Sequence, residues 1–125
     1  MNEDDRGRIF VIEDDREHID LIQSVLAADY ELSFFEDRDS AFAKLQIESP
    51  DLLLLDLGIS EMDGVEACRR LKSLDGGARD VPLVVLSAVN DPEKEEAILS
   101  SGAIDYVAKP IQGHLLRARV KNYLE

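Results

Sequence analysis

The sequence predicts an α/β fold, with five strands in one parallel sheet and a helix after each strand. Apolar runs of strand length alternate with stretches of helical period, and capping or turn residues stand at the junctions. Two of the runs, Ile9-Phe10-Val11-Ile12 and Leu52-Leu53-Leu54-Leu55, also finish in carboxylates, at Glu13-Asp14-Asp15 and at Asp56.

The first strand covers about Ile9 to Ile12, and the helix after it sets Ile19, Ile22, Val25 and Leu26 on one side, the side that packs on a sheet. A short second strand, about Glu31 to Phe35, precedes a helix carrying Ala41, Phe42 and Leu45 behind a cap at Asp37 or Asp39. The third strand is Leu52 to Leu55. Met62-Asp63-Gly64 then turns the chain into a third helix with Val65, Cys68, Leu71 and Leu74 inward, and Asp75-Gly76-Gly77 ends it. The fourth strand is Leu83 to Leu86. Asp91-Pro92 reads as a cap with proline at the first helical position, and Gly102 suits the end of that helix. Tyr106 to Ala108 forms the fifth strand, Lys109-Pro110 breaks it, and a fifth helix runs from near Gln112 to Tyr123 with Leu116, Val120 and Tyr123 on one face.

The 125 residues fit one domain, 1–125, with no internal repeat or linker. Hydrophobic residues make up 45% and charged residues 33%, with no long apolar segment and no signal-peptide layout, so a soluble cytoplasmic protein is expected and membrane insertion is not. Fourteen basic residues against twenty-seven acidic ones give a formal charge of -13, the wrong sign for gripping nucleic-acid phosphates. The lone cysteine, Cys68, allows no internal disulfide and belongs to no zinc-binding spacing, so it reads as core.

Right-handed crossovers make the strands parallel and align their C-terminal ends along one sheet edge, where open α/β folds place ligands. Glu13, Asp14, Asp56, Ser87 and Lys109 all fall there. Carboxylates about 5 Å apart repel by roughly 3 kcal/mol per pair at an effective dielectric of about 20, so the site calls for a cation. Few, hard oxygen ligands with room for water describe Mg²⁺, with Mn²⁺ able to substitute, better than zinc or a calcium cage. A divalent ion, a lysine and a small hydroxyl are the parts that neutralise a transferring phosphoryl group, which makes Asp56 the expected nucleophile.

At these residues the chain resembles the receiver domain of two-component response regulators, and the resemblance covers essentially its whole length. The order of acidic pair, central Asp, hydroxyl and Lys-Pro carries it. It implies a flavodoxin-like, doubly wound sheet of strand order 2-1-3-4-5 with five helices. It also implies Asp56 as phosphoacceptor, Asp14 as direct metal ligand, Glu13 acting on the metal mainly through water, and the backbone carbonyl of Gly58 as a further ligand. Lys109 would pair with phosphoryl oxygens, Ser87 would hydrogen-bond one of them, Tyr106 matches an aromatic switch position, and Lys109-Pro110 would be cis. The implied donor is a sensor histidine kinase or histidine phosphotransfer protein. The implied output is a change in the face formed by the fourth helix, fifth strand and fifth helix, read by a partner or by a second copy in a homodimer.

Ser60 stands where the family usually has proline, which suggests a looser loop after the third strand. Gly58 and Val89, two positions beyond Asp56 and Ser87, lack polar side chains to assist hydrolysis, so a long-lived phosphoryl-aspartate is expected. The ending from Leu115 to Glu125 resembles receivers that precede domains making or hydrolysing cyclic di-GMP, which suggests a receiver cut from a longer regulator; a stand-alone receiver is the alternative.

Plainer readings stand beside these. Asp15 is a solvated acid or a cap for the first helix, and Asp63-Gly64 is explained by a turn. His18 and His114, without partner spacing, read as surface or packing residues. An aspartate-nucleophile phosphatase of the haloacid dehalogenase type would want a second Asp where Gly58 stands, and a pseudo-receiver would lack the complete acid, hydroxyl and lysine set. The expected role is that of a phosphoacceptor switch rather than a turnover enzyme.

Overall fold

The computed structural model describes residues 6–57, 61–88 and 91–125, and of residues 61–63 the backbone alone. In chain order the elements are β1 (Gly7–Ile12), α1 (Arg16–Leu26), β2 (Tyr30–Phe35), α2 (Arg38–Leu45), β3 (Leu52–Leu57), α3 (Glu61–Lys72), a 3₁₀ turn (Gly76–Asp80), β4 (Leu83–Ser87), α4 (Pro92–Ser100), β5 (Asp105–Ala108) and α5 (Gly113–Leu124). Every strand pair is parallel and the sheet order is β2-β1-β3-β4-β5, the flavodoxin-like arrangement expected.

Two strands run further than their apolar runs. β3 continues through Asp56 to Leu57, and β4 takes in Ser87. Both polar residues are thereby held by the backbone ladder, with Asp56 level with Leu86 and Ser87 level with Leu57 and Ala108.

Strand alternation sorts the core into two layers. Phe10, Ile12, Leu53, Leu55, Leu57, Leu83, Val85 and Tyr106 pack with Phe42 of α2, Cys68 and Leu71 of α3 and Ile98 of α4. Ile9, Val11, Leu52, Leu54, Val84, Leu86 and Val107 pack with Ile22 and Leu26 of α1 and Leu116 and Val120 of α5. Burial on both sheet faces explains why β1, β3 and β4 read as unbroken apolar runs.

Among the described residues, three helices begin on side-chain caps. Asp15 Oδ1 accepts from the Glu17 and His18 amides at 2.8 and 3.4 Å, Asp37 accepts from Ser40 at 2.7 Å, and Asp91 from Glu93 at 2.9 Å, with Pro92 at the start of α4. Asp15 and Asp37 are thus the caps among the alternatives the sequence left open. The Asp37 contact with Ser40 also holds its carboxyl below the ordinary range.

Two features depart from the sequence reading. Tyr123 was expected inward with Leu116 and Val120, but it is exposed, its hydroxyl donating to Asp105 at 2.9 Å, and Leu124 completes the inner stripe instead. The i, i+4, i+8 spacing of Leu116, Val120 and Leu124 keeps one face, and a phenol keeps its hydroxyl bonded at the rim. Asp105 also accepts from Arg119 Nη1 at 2.8 and 3.0 Å and from the Tyr106 amide at 2.7 Å, which fastens α5 to β5.

The second departure is Gly64, read as part of a turn. It lies inside α3, which starts at Glu61. A Cβ there would stand 2.5 Å from Leu57 Cδ1 and 3.2 Å from Ile98 Cδ1, so its purpose is close approach of α3 to the end of β3. Gly64→Val is expected to lower the unfolding free energy by about 1–3 kcal/mol through overpacking, read as a lower urea midpoint at unchanged slope.

Candidate functional site

Strand alternation decides which polar groups meet. Glu13 continues the parity of Ile9 and Val11, Asp56 that of Leu52 and Leu54, and Lys109 that of Val107, so all three belong to the sheet face covered by α1 and α5. Ser87 continues the parity of Leu83 and Val85 and belongs, with Tyr106, to the opposite face.

The Glu13 amide extends the β1–β2 ladder by donating to Phe35 O at 2.9 Å, so Glu13 is still extended and its side chain turns in beside Asp56. Its Oε1 accepts from the Asp15 amide at 2.9 Å, and its side chain is 3% exposed. Lys109 Nζ pairs with Asp56 Oδ1 and donates to Leu57 O at 2.9 Å. The lysine is delivered by the end of β5, where the Lys109 amide donates to Ser87 O at 2.8 Å and the Lys109-Pro110 peptide is cis, as expected.

The remaining carboxylate oxygens, Glu13 Oε2 and Asp56 Oδ2, are buried without a hydrogen-bond partner. Burial first, and then the nearness of Asp56, push the Glu13 carboxyl up to about 8. Orphaned, buried oxygens of this kind fit a hard divalent cation, and the group Glu13, His18 and Asp56 has one ligand atom from each within 4.8 Å of the others.

This grouping differs from the expected one. Asp14, read as the direct metal ligand, is exposed and lines the mouth of the cleft, while Glu13 is the acid that closes on Asp56. His18, read as a surface or packing residue, reaches in from the first turn of α1 to place Nδ1 3.1 Å from Asp56 Oδ2 and 3.2 Å from Glu13 Oε2. The available signal was positional: His18 follows the Asp15 cap by three residues on the helix covering this sheet face. His114 is exposed on α5, and Cys68 is core. Gly58, Ser60 and Val89 lie outside the described residues.

The cleft has a volume of about 630 Å³ and opens between the β1–α1 and β2–α2 connections, with Asp37, Arg38 and Arg70 on its outer wall. Ser87 is fully buried at the edge of the sheet, and Tyr106 is already inward at 7% exposure.

The fold is that of a receiver domain, a class of signalling switch domain. The response regulator receiver domain model matches residues 9–121, and the chain belongs to that family. It is 36% identical over 117 residues to the response regulator PleD of Caulobacter vibrioides, covering 93% of this chain and 26% of PleD. It is 37% identical over 100 residues to the cyclic di-GMP phosphodiesterase response regulator RpfG of Xanthomonas campestris, covering 80% of this chain and 26% of RpfG. The chain therefore spans about a quarter of the length of these relatives. Among solved structures it resembles the receiver domain of a histidine kinase from Syntrophus aciditrophicus, with TM-score 0.80 and 29% identity over 94% of this chain and 89% of that one. A response regulator from Chloroflexus aurantiacus matches with TM-score 0.82 and 28% identity over 95% and 98% of the two chains. Among the described residues no helix is long and apolar enough to cross a membrane.

Asp15 supports the site from outside it, since its side chain caps α1 while its amide holds Glu13. Asp15→Ala is expected to cost about 1 kcal/mol of stability, measured by urea unfolding, because the amide bond survives and only the cap is lost.

Proposed function

We propose that this domain takes a phosphoryl group from a sensor histidine kinase or histidine phosphotransfer protein onto Asp56 and converts it into a change of the α4–β5–α5 face. The observation that carries the reading is the split environment of Asp56, with Oδ1 on Lys109 and Oδ2 facing the buried Glu13 at the C-terminal end of β3.

In the transfer, the phosphorus–nitrogen bond of the donor histidine breaks as a phosphorus–oxygen bond to Asp56 forms. Lys109 Nζ, already against the accepting carboxylate, would pair with the phosphoryl oxygens and stabilise their charge. Mg²⁺, or Mn²⁺ in its place, would be held by Glu13, Asp14, Asp56 and the Gly58 carbonyl, and would neutralise the carboxylates and the incoming phosphoryl oxygens. Ser87 sits one strand over, its backbone carbonyl tied to the Lys109 amide, and would hydrogen-bond a phosphoryl oxygen.

Phosphorylation adds about two negative charges. Tyr106 is buried already, so the proposed change is a locking of an inward ring as the Ser87 edge closes, rather than a swing from outside. A surface pocket of about 250 Å³ lined by Tyr106, Pro110, Leu115 and Arg119 lies on the face that would report it to a partner or a second copy. Such a device needs two states of similar free energy.

The similarity to RpfG, together with the α5 ending, supports an output concerned with cyclic di-GMP in the whole protein; a following segment of another class in the gene would overturn that part. Asp56→Asn should abolish acid-labile phosphate incorporation from a phosphodonor, and retained labelling would move the acceptor elsewhere. With no polar side chain at Gly58 or Val89, the phosphoryl-aspartate of the isolated domain should persist well beyond seconds in a phosphate-release assay. Release within seconds would show that another group activates water.

A further inference from the structure

At the inner end of the acid cleft each carboxylate has one oxygen engaged by the protein and one left over. Glu13 Oε1 accepts from the Asp15 amide and Asp56 Oδ1 from Lys109, while Oε2 and Oδ2 are buried without a hydrogen bond and turned toward His18. The side chains are 3% and 7% exposed, so neither leftover oxygen turns to bulk water. The third atom there without a hydrogen bond is a nitrogen, His18 Nδ1.

Nδ1 lies 3.2 Å from Oε2 and 3.1 Å from Oδ2, within ion-pair reach of both but without hydrogen-bond geometry to either. Ligand atoms that share an ion at about 2.1 Å stand about 3.0 Å apart when adjacent. The spacing therefore suits three donors around one ion at least as well as an imidazole between two acids. The α1 cap at Asp15 sets the helical turn that brings His18 over Glu13.

We propose that His18 is a direct metal ligand through Nδ1, sharing a divalent cation with Glu13 Oε2 and Asp56 Oδ2. Carboxylates alone suit Mg²⁺ and Mn²⁺, whereas imidazole suits transition ions such as Zn²⁺ and Ni²⁺. The nitrogen raises the affinity of this cleft for transition cations over Mg²⁺ beyond what its oxygens supply. The inference rests on the reading that the cleft takes a divalent cation, and adds the identity of one donor.

Mn²⁺ bound to the protein should show nitrogen modulation from imidazole in pulsed electron paramagnetic resonance, and His18→Gln should still bind Mn²⁺ while losing that signal. In titration calorimetry the same variant should weaken Zn²⁺ by at least about tenfold, the smaller end of what losing even an outer partner costs, and leave Mg²⁺ unchanged. Mn²⁺ bound without nitrogen modulation, or modulation that survives in His18→Gln, would overturn the assignment while leaving the cation cleft standing. Equal weakening of Mg²⁺ and Zn²⁺ would also overturn it, since that marks His18 as packing for the acids. Mn²⁺ that fails to bind, or binds equally to Asp56→Asn, would bring down the cation reading and this inference together.

Discussion

Two carboxylates buried side by side at the end of a parallel sheet set the terms for everything around them. Register makes the meeting unavoidable: Ile12 is level with Leu55, so the next residues along, Glu13 and Asp56, arrive together. Each neighbouring element then contributes something that makes the pair tolerable. β5 delivers Lys109 to Asp56, and the β1–α1 turn delivers the Asp15 amide to Glu13. Removing one partner from a buried charge costs more than the pair contributes, so these contributions hold each other in place.

The same sheet keeps the acid cluster apart from Ser87 and Tyr106. Both groups sit at the strand ends, but on opposite faces, because Asp56 and Ser87 occupy opposite parities of adjacent strands. They communicate through the edge of the sheet, where the Ser87 carbonyl accepts from the Lys109 amide while the lysine side chain, on the face of the acids, reaches Asp56. The backbone of one dipeptide thus joins the acid cluster to the edge from which α4 departs.

Most of the architecture was legible from Leu52 to Leu55, Ile9 to Ile12 and their counterparts, because a strand buried on both faces needs an unbroken apolar run. The ends of elements were less so. Asp56 and Ser87 fell just past the expected strands because hydrophobicity stops before hydrogen bonding does. Gly64 looked like a turn because composition does not distinguish a bend from a close approach. Tyr123 followed helical period but obeyed its hydroxyl. Of the site, the acids, hydroxyl and lysine could be picked out by their place after strands. The inward turn of Glu13 rather than Asp14 follows from parity and could have been read; His18 could not be found by ligand spacing, because its partners come from two different strands.

Asp105 carries a mechanical consequence. Its carboxylate holds Arg119 and Tyr123 of α5 and also the neighbouring Tyr106 amide, so two side chains tie the helix to the strand around one residue. Both side chains lie in the C-terminal half of α5, so that half of the helix is the part most directly coupled to β5.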